Sequence, residues 1–100
     1  MALHIAIDRD ALTAFCRKHR IRKLSLFGSV LRDDFRPDSD VDVLVEFEPD
    51  THIGLIGLAG IELDLSALLG RKVDLNTVGF LGRHFRDQVL REAVVQYAAA

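Results

Sequence analysis

The sequence is short of the features that would staple, anchor or export it. A single cysteine, Cys16, among 100 residues excludes an intramolecular disulfide and fits a reducing compartment. No apolar run reaches the ~20 residues that a membrane-spanning helix needs. Asp8 and Asp10 interrupt the N-terminal stretch, which therefore lacks the basic-then-apolar pattern of a signal peptide, and a cytoplasmic location is expected. Charge of one sign is not in excess: 13 Lys and Arg against 15 Asp and Glu leave a formal −2, so no overall field favours nucleic acid. The four histidines, His4, His19, His52 and His84, fall in separate segments without zinc-ligand spacing, which makes them surface or packing residues. Internal repeats are absent, and the only low-complexity stretch is the short Ala98–Ala100 tail.

What is present describes an ordinary globular chain, with 49% hydrophobic and 28% charged residues. One hundred residues fit a single domain spanning 1–100, with one small core. Positive charge does gather locally at Arg17, Lys18, His19, Arg20, Arg22 and Lys23, a pattern that reads as the solvated end of a helix. Cys16, next to that cluster, reads as a packing residue rather than a nucleophile.

In chain order, Asp8 is a good N-cap for a helix running to about His19, with Leu12, Phe15 and Cys16 on one face. Arg20 to Lys23 then connects to a first strand, Leu24 to Phe27. Gly28 permits a tight turn and a close approach of backbone to ligand, and a short helix over Val30 to Asp34 follows Ser29. Arg36-Pro37-Asp38-Ser39 is a turn by composition. The best-defined strand is Asp40 to Phe47. A helix over Ile53 to Leu69 ends at Gly70; it is apolar around so much of its girth that burial on two sides is expected, within the domain or against another chain. A third short strand covers Arg71 to Leu75. A last helix over Leu81 to Tyr97 carries Leu81, Phe85, Val89, Ala93 and Tyr97 at four-residue intervals, a face expected to pack on the sheet. The order predicts an α+β fold with a small, mixed, three-stranded sheet flanked by helices.

The stretch from Leu24 to Glu46 holds the chemistry. On a strand, Asp40 and Asp42 point to one face while Val41, Val43 and Val45 point to the other. Carboxylates set side by side repel each other unless a cation lies between them, and a hard divalent ion with oxygen ligands is the natural occupant. Asp74, between Val73 and Leu75, supplies a third strand carboxylate. Sites of this kind hold nucleoside triphosphates, and in two-metal versions, with ions roughly 3.5–4 Å apart, one ion activates the attacking oxygen and the other supports the leaving group. The Gly28-Ser29 turn leads into a helix N-terminus suited to phosphate, and Arg32 follows one turn later.

Phe27-Gly28-Ser29, ten residues, then Asp40-Val41-Asp42 resembles the Gly-Ser…Asp-x-Asp signature of the DNA polymerase beta-like nucleotidyltransferase superfamily. The short length and Arg71-Lys72-Val73-Asp74-Leu75 after the long helix are similar to its minimal branch, the MNT proteins. The resemblance runs from Leu24 through Tyr97 and implies a polymerase beta-type nucleotidyltransferase core. By that likeness Asp40 and Asp42 would bind Mg²⁺ and through it ATP, Asp74 would complete the site as third carboxylate and base, and Gly28 and Ser29 would hold the β- and γ-phosphates. Arg32 matches a basic residue of the family, while Asp33 departs from its pattern. The family also implies a role: an antitoxin that transfers AMP from ATP onto a tyrosine of a HEPN ribonuclease toxin. Two alternatives stay open at this point, an antitoxin that works by binding alone and a small-molecule nucleotidyltransferase completed by a helical partner subunit. Tyr97 reads as helix packing rather than a modification site.

Overall fold

A computed structural model describes residues 7–31, 36 and 39–99. Its elements run α1 (Arg9–Lys18), β1 (Ile21–Phe27), a 3₁₀ turn (Gly28–Leu31), β2 (Val41–Phe47), α2 (Leu55–Leu69), β3 (Val73–Thr77), a second 3₁₀ turn (Val78–Phe80), α3 (Arg83–Glu92) and β4 (Val94–Ala98). The strands form one mixed sheet in the order β3-β2-β1-β4. β1 is antiparallel to both β2 and β4, whereas β2 and β3 are parallel.

The first helix forms as expected. Asp8 caps it by accepting a hydrogen bond from the Ala11 amide at 3.1 Å, and Leu12, Phe15 and Cys16 are buried on its inner face. Arg17 and Lys18 in the last turn complement the negative end of the helix dipole. β1 begins three residues earlier than predicted, because Ile21 is itself a buried core residue paired with Phe47. β3 is shifted two residues toward the C-terminus of its predicted range, with Val73 as its first buried position. The predicted short helix after Ser29 is a 3₁₀ turn beginning at Gly28; the rest of it, Arg32 to Phe35, lies outside the described residues. Ser39 closes the predicted turn, its hydroxyl accepting from the Arg36 amide at 3.0 Å.

The sheet has four strands rather than three. The predicted last helix stops at Glu92, and Ala93 turns extended at φ −62°, ψ 136°. Val94, Val95 and Tyr97 then favour a strand, being β-branched or aromatic. The four-residue recurrence that suggested one long helix is also a multiple of the two-residue strand period, so it did not separate the two conformations. Tyr97 thus sits on β4 opposite Leu24, packed against the core.

α1 and α2 cover one sheet face. Beneath them lie Leu24, Leu26, Val41, Val43, Val45 and Val73, all buried. α2 buries only Ile61 and Leu65. Leu55, Ile56 and Leu63 remain 71–91% exposed, so the second buried side expected of this helix is not supplied by the described residues. Gly70 ends α2 in the left-handed conformation, φ 68°, as predicted. Two polar residues of α2 close the outer edge of β3: Ser66 Oγ accepts from the Val73 amide at 3.0 Å and Glu62 Oε2 from the Leu75 amide at 2.8 Å. Without them these edge donors would lack partners. The opposite sheet face is covered by α3 through Val89, which joins Phe27 and Leu44 in a second, smaller core. Among the described residues, no helix is long and apolar enough to cross a membrane.

Candidate active site

The second sheet face carries the carboxylates. Val41, Val43 and Val45 point into the main core, so strand alternation turns Asp42 and Leu44 the other way. Asp42 is paired across the sheet with Phe27 of β1 on one side and Asp74 of β3 on the other. Residues in register on neighbouring strands present their side chains to the same face, which places Asp42 and Asp74 side by side. Asp40 stands two residues before Asp42, next to the Val41 amide that donates to the Lys72 carbonyl at 2.9 Å. The Lys72 ammonium lies 4.0 Å from the Asp40 carboxylate. Glu62 and Ser66, which fix the amides on either side of Asp74, are positioning residues that sequence reasoning missed.

The Gly28 turn meets this row of carboxylates directly. Its backbone has φ 76°, and a Cβ at this position would overlap Oδ2 of Asp42. Glycine is therefore required twice over, for its conformation and for its lack of a side chain. Ser29 follows within the same 3₁₀ turn, while Arg32 lies outside the described residues. Of the six predicted site residues, Gly28, Asp42 and Asp74 converge through strand pairing and direct approach, and Asp40 and Ser29 flank them along the chain.

The donors are carboxylate oxygens at three neighbouring backbone positions, the chemistry that suits a hard divalent ion. Among the described residues, no group of three or more His, Cys, Asp or Glu side chains is drawn together tightly enough to cage a metal. That arrangement still fits magnesium, which keeps water and substrate phosphate in its shell and takes only one or two carboxylates from the protein. His19 stands apart from the site, joining Asp64 at 3.2 Å on the far side of the sheet.

A cleft of about 200 Å³ opens beside Asp42 and Gly28. Phe27 and Val89 form its base, and Phe85, Gln88 and Glu92 rise along its wall on α3. Phe85 was expected to pack on the sheet; it remains 53% exposed, with its ring edge-on to Phe27 at 6.4 Å. Positions 85, 88 and 92 share one face of α3, a spacing that could have marked this wall in the sequence.

These features agree with what the chain is similar to. The nucleotidyltransferase domain family matches residues 9–96. The protein adenylyltransferase MntA of Thermococcus cleftensis is 40% identical over 74 residues, covering 74% of this chain and 73% of the relative. A solved structure provisionally named a minimal nucleotidyltransferase superposes with a TM-score of 0.70 at 41% identity, covering 86% of each chain. A tri-AMPylated HEPN toxin of Shewanella oneidensis in complex with its MNT antitoxin has a chain of the same fold, with a TM-score of 0.67, 18% identity, and coverage of 91% of this chain and 70% of that one. The chain belongs to the nucleotidyltransferase domain family and, within it, to the minimal nucleotidyltransferases.

Proposed function

We propose that this chain, acting as a single minimal domain in the cytoplasm, transfers AMP from ATP onto a tyrosine of a HEPN-domain toxin and thereby serves as its antitoxin. The observation that carries the reading is the placement of Asp42, in register with Asp74 and directly against the side-chain-free backbone of Gly28. A triphosphate anchored at the Gly28-Ser29 turn would bring its α-phosphorus over Asp42. Asp40 and Asp42 would hold Mg²⁺, with Asp74 completing the set. When bound, the ion would neutralise phosphate charge as it builds up on the leaving group.

The chain's own groups then divide the work. Gly28 lets the phosphates approach the backbone closely, Ser29 offers a hydroxyl and an amide to them, and Arg32 is assigned to their flank. The tyrosine oxygen attacks the α-phosphorus, the bond to the bridging oxygen of pyrophosphate breaks, and pyrophosphate departs with that electron pair. In this reading Asp74 accepts the phenol proton. A partner chain fits this account physically, because the exposed Leu55, Ile56 and Leu63 of α2 are apolar surface that the described residues do not cover.

The test is mass spectrometry of a HEPN-domain protein from the same organism, after incubation with this chain, Mg²⁺ and ATP. A mass gain in units of AMP on a tyrosine is expected, and none with an Asp40→Ala/Asp42→Ala double variant. A stable complex with no mass gain would instead establish an antitoxin that works by binding alone.

A further inference from the structure

We propose that the cleft between the end of β1 and α3 seats the adenine of the nucleotide, with Phe85 as stacking platform and Gln88 as reader of the base. This rests on the AMP-transfer reading, because it takes the triphosphate to lie at the Gly28 turn. In-line displacement puts the attacking oxygen opposite the departing pyrophosphate. The pyrophosphate belongs to Gly28, and the cleft is bordered by Gly28 as well as Asp42. It therefore adjoins the place proposed for the triphosphate.

The wall of the cleft has base-reading chemistry. Phe85 leaves about half of its surface uncovered, held edge-on against the buried Phe27 ring. An exposed ring beside a phosphate site is a platform for a planar base. One turn further along α3, Gln88 donates from Nε2 to Oε1 of Glu92 at 3.4 Å. The Glu92 carboxylate oxygen accepts this bond, which selects one orientation of the Gln88 amide. The amide oxygen and the second N–H are then left to face a base together. Adenine offers the matching pair, a donor at N6 and an acceptor at N7. Guanine offers an acceptor at O6 in place of the donor, which would oppose the amide oxygen. Glu92 is thus a positioning residue for Gln88, and the wall selects adenine over guanine.

Titration calorimetry of the chain with MgATP, MgGTP and magnesium tripolyphosphate tests this. Phe85→Ala is expected to weaken ATP binding by about tenfold, the order of one base–aromatic stack, and to leave tripolyphosphate binding unchanged. Phe85→Trp should restore ATP binding. Gln88→Ala should lower the preference for ATP over GTP by about tenfold, the order of one bidentate base contact. ATP binding unchanged by Phe85→Ala, or ATP and tripolyphosphate weakened equally by it, would overturn the seat. So would a preference for ATP over GTP that Gln88→Ala does not alter. AMP transfer by the wild type with the variants binding normally would sink the seat alone. Altered ATP binding in the variants, with no transfer by the wild type, would sink the AMP-transfer reading while keeping the seat.

Discussion

On one face of the sheet, Leu24, Leu26, Val41, Val43 and Val45 are sealed beneath α1 and α2. On the other, β2 presents Asp42 to a cleft, with Asp74 of β3 in register beside it, and among the described side chains of α3 only Val89 is buried. The difference arises from strand alternation, which hands each successive residue of β2 to opposite tasks. Packing holds the domain together from one side, and the thin cover on the other leaves room for a nucleotide. Stability and chemistry can therefore be perturbed separately, although the residues concerned are adjacent in sequence.

The largest loss of stability is expected on the sealed face. Leu26 is fully buried there, and Leu26→Ala should lower the unfolding free energy by about 3 kcal/mol through lost transfer energy and the cavity left behind. Urea denaturation would show this, and AMP transfer per folded molecule should be unchanged. On the open face, Gly28→Ala combines a left-handed backbone with an overlap against Asp42. A stability cost of about 2 kcal/mol is expected together with loss of transfer, read from a thermal melt and a transfer assay on one preparation. If Gly28→Ala kept full activity, the close approach of this turn to the site would have no functional meaning.

Ser66→Ala sharpens the comparison at the sheet edge. It would strip the Val73 amide of its acceptor, costing about 1–2 kcal/mol. It should also slow transfer by loosening the strand that carries Asp74, whereas Leu26→Ala should not. The smallest effect concerns Cys16, fully buried on the sealed face. Burial pushes its thiol from 9.0 up to about 12. Below pH 9 the thiol is protonated whether the chain is folded or not, and its full contribution to stability is present. As pH rises from 9 toward 12, the unfolded chain ionises while the folded one does not, so stability falls. Between pH 8 and 10 the wild type should lose about 1 kcal/mol more than Cys16→Ala in parallel denaturation curves.

Much of this was legible before any coordinates. Asp8 as a cap, Gly70 as a helix stop and the Val41-Val43-Val45 alternation are local signals, and each has a local physical cause that the fold leaves intact. The Gly28…Asp40-Val41-Asp42 spacing is also a local signal, and the fold brings Gly28 directly against Asp42. What escaped depends on partners distant in the chain. β4 was hidden because Phe85, Val89, Ala93 and Tyr97 recur at an interval common to helix and strand, and only pairing with β1 decides between them. The role of Glu62 and Ser66 was invisible because nothing in α2 announces that the edge of β3 lies beside it. Exposure of Phe85 could not be read from its apolar character, which suggests burial by default.

The separation of the two faces is tested most directly by Asp42→Asn, assayed for AMP transfer and for urea denaturation on the same sample. Removing one charge from the row of carboxylates should abolish transfer while leaving the denaturation midpoint equal to or above that of the wild type, because repulsion between neighbouring carboxylates is relieved. Loss of activity accompanied by unfolding would contradict the account, since Asp42 would then be holding the fold together rather than serving its open face.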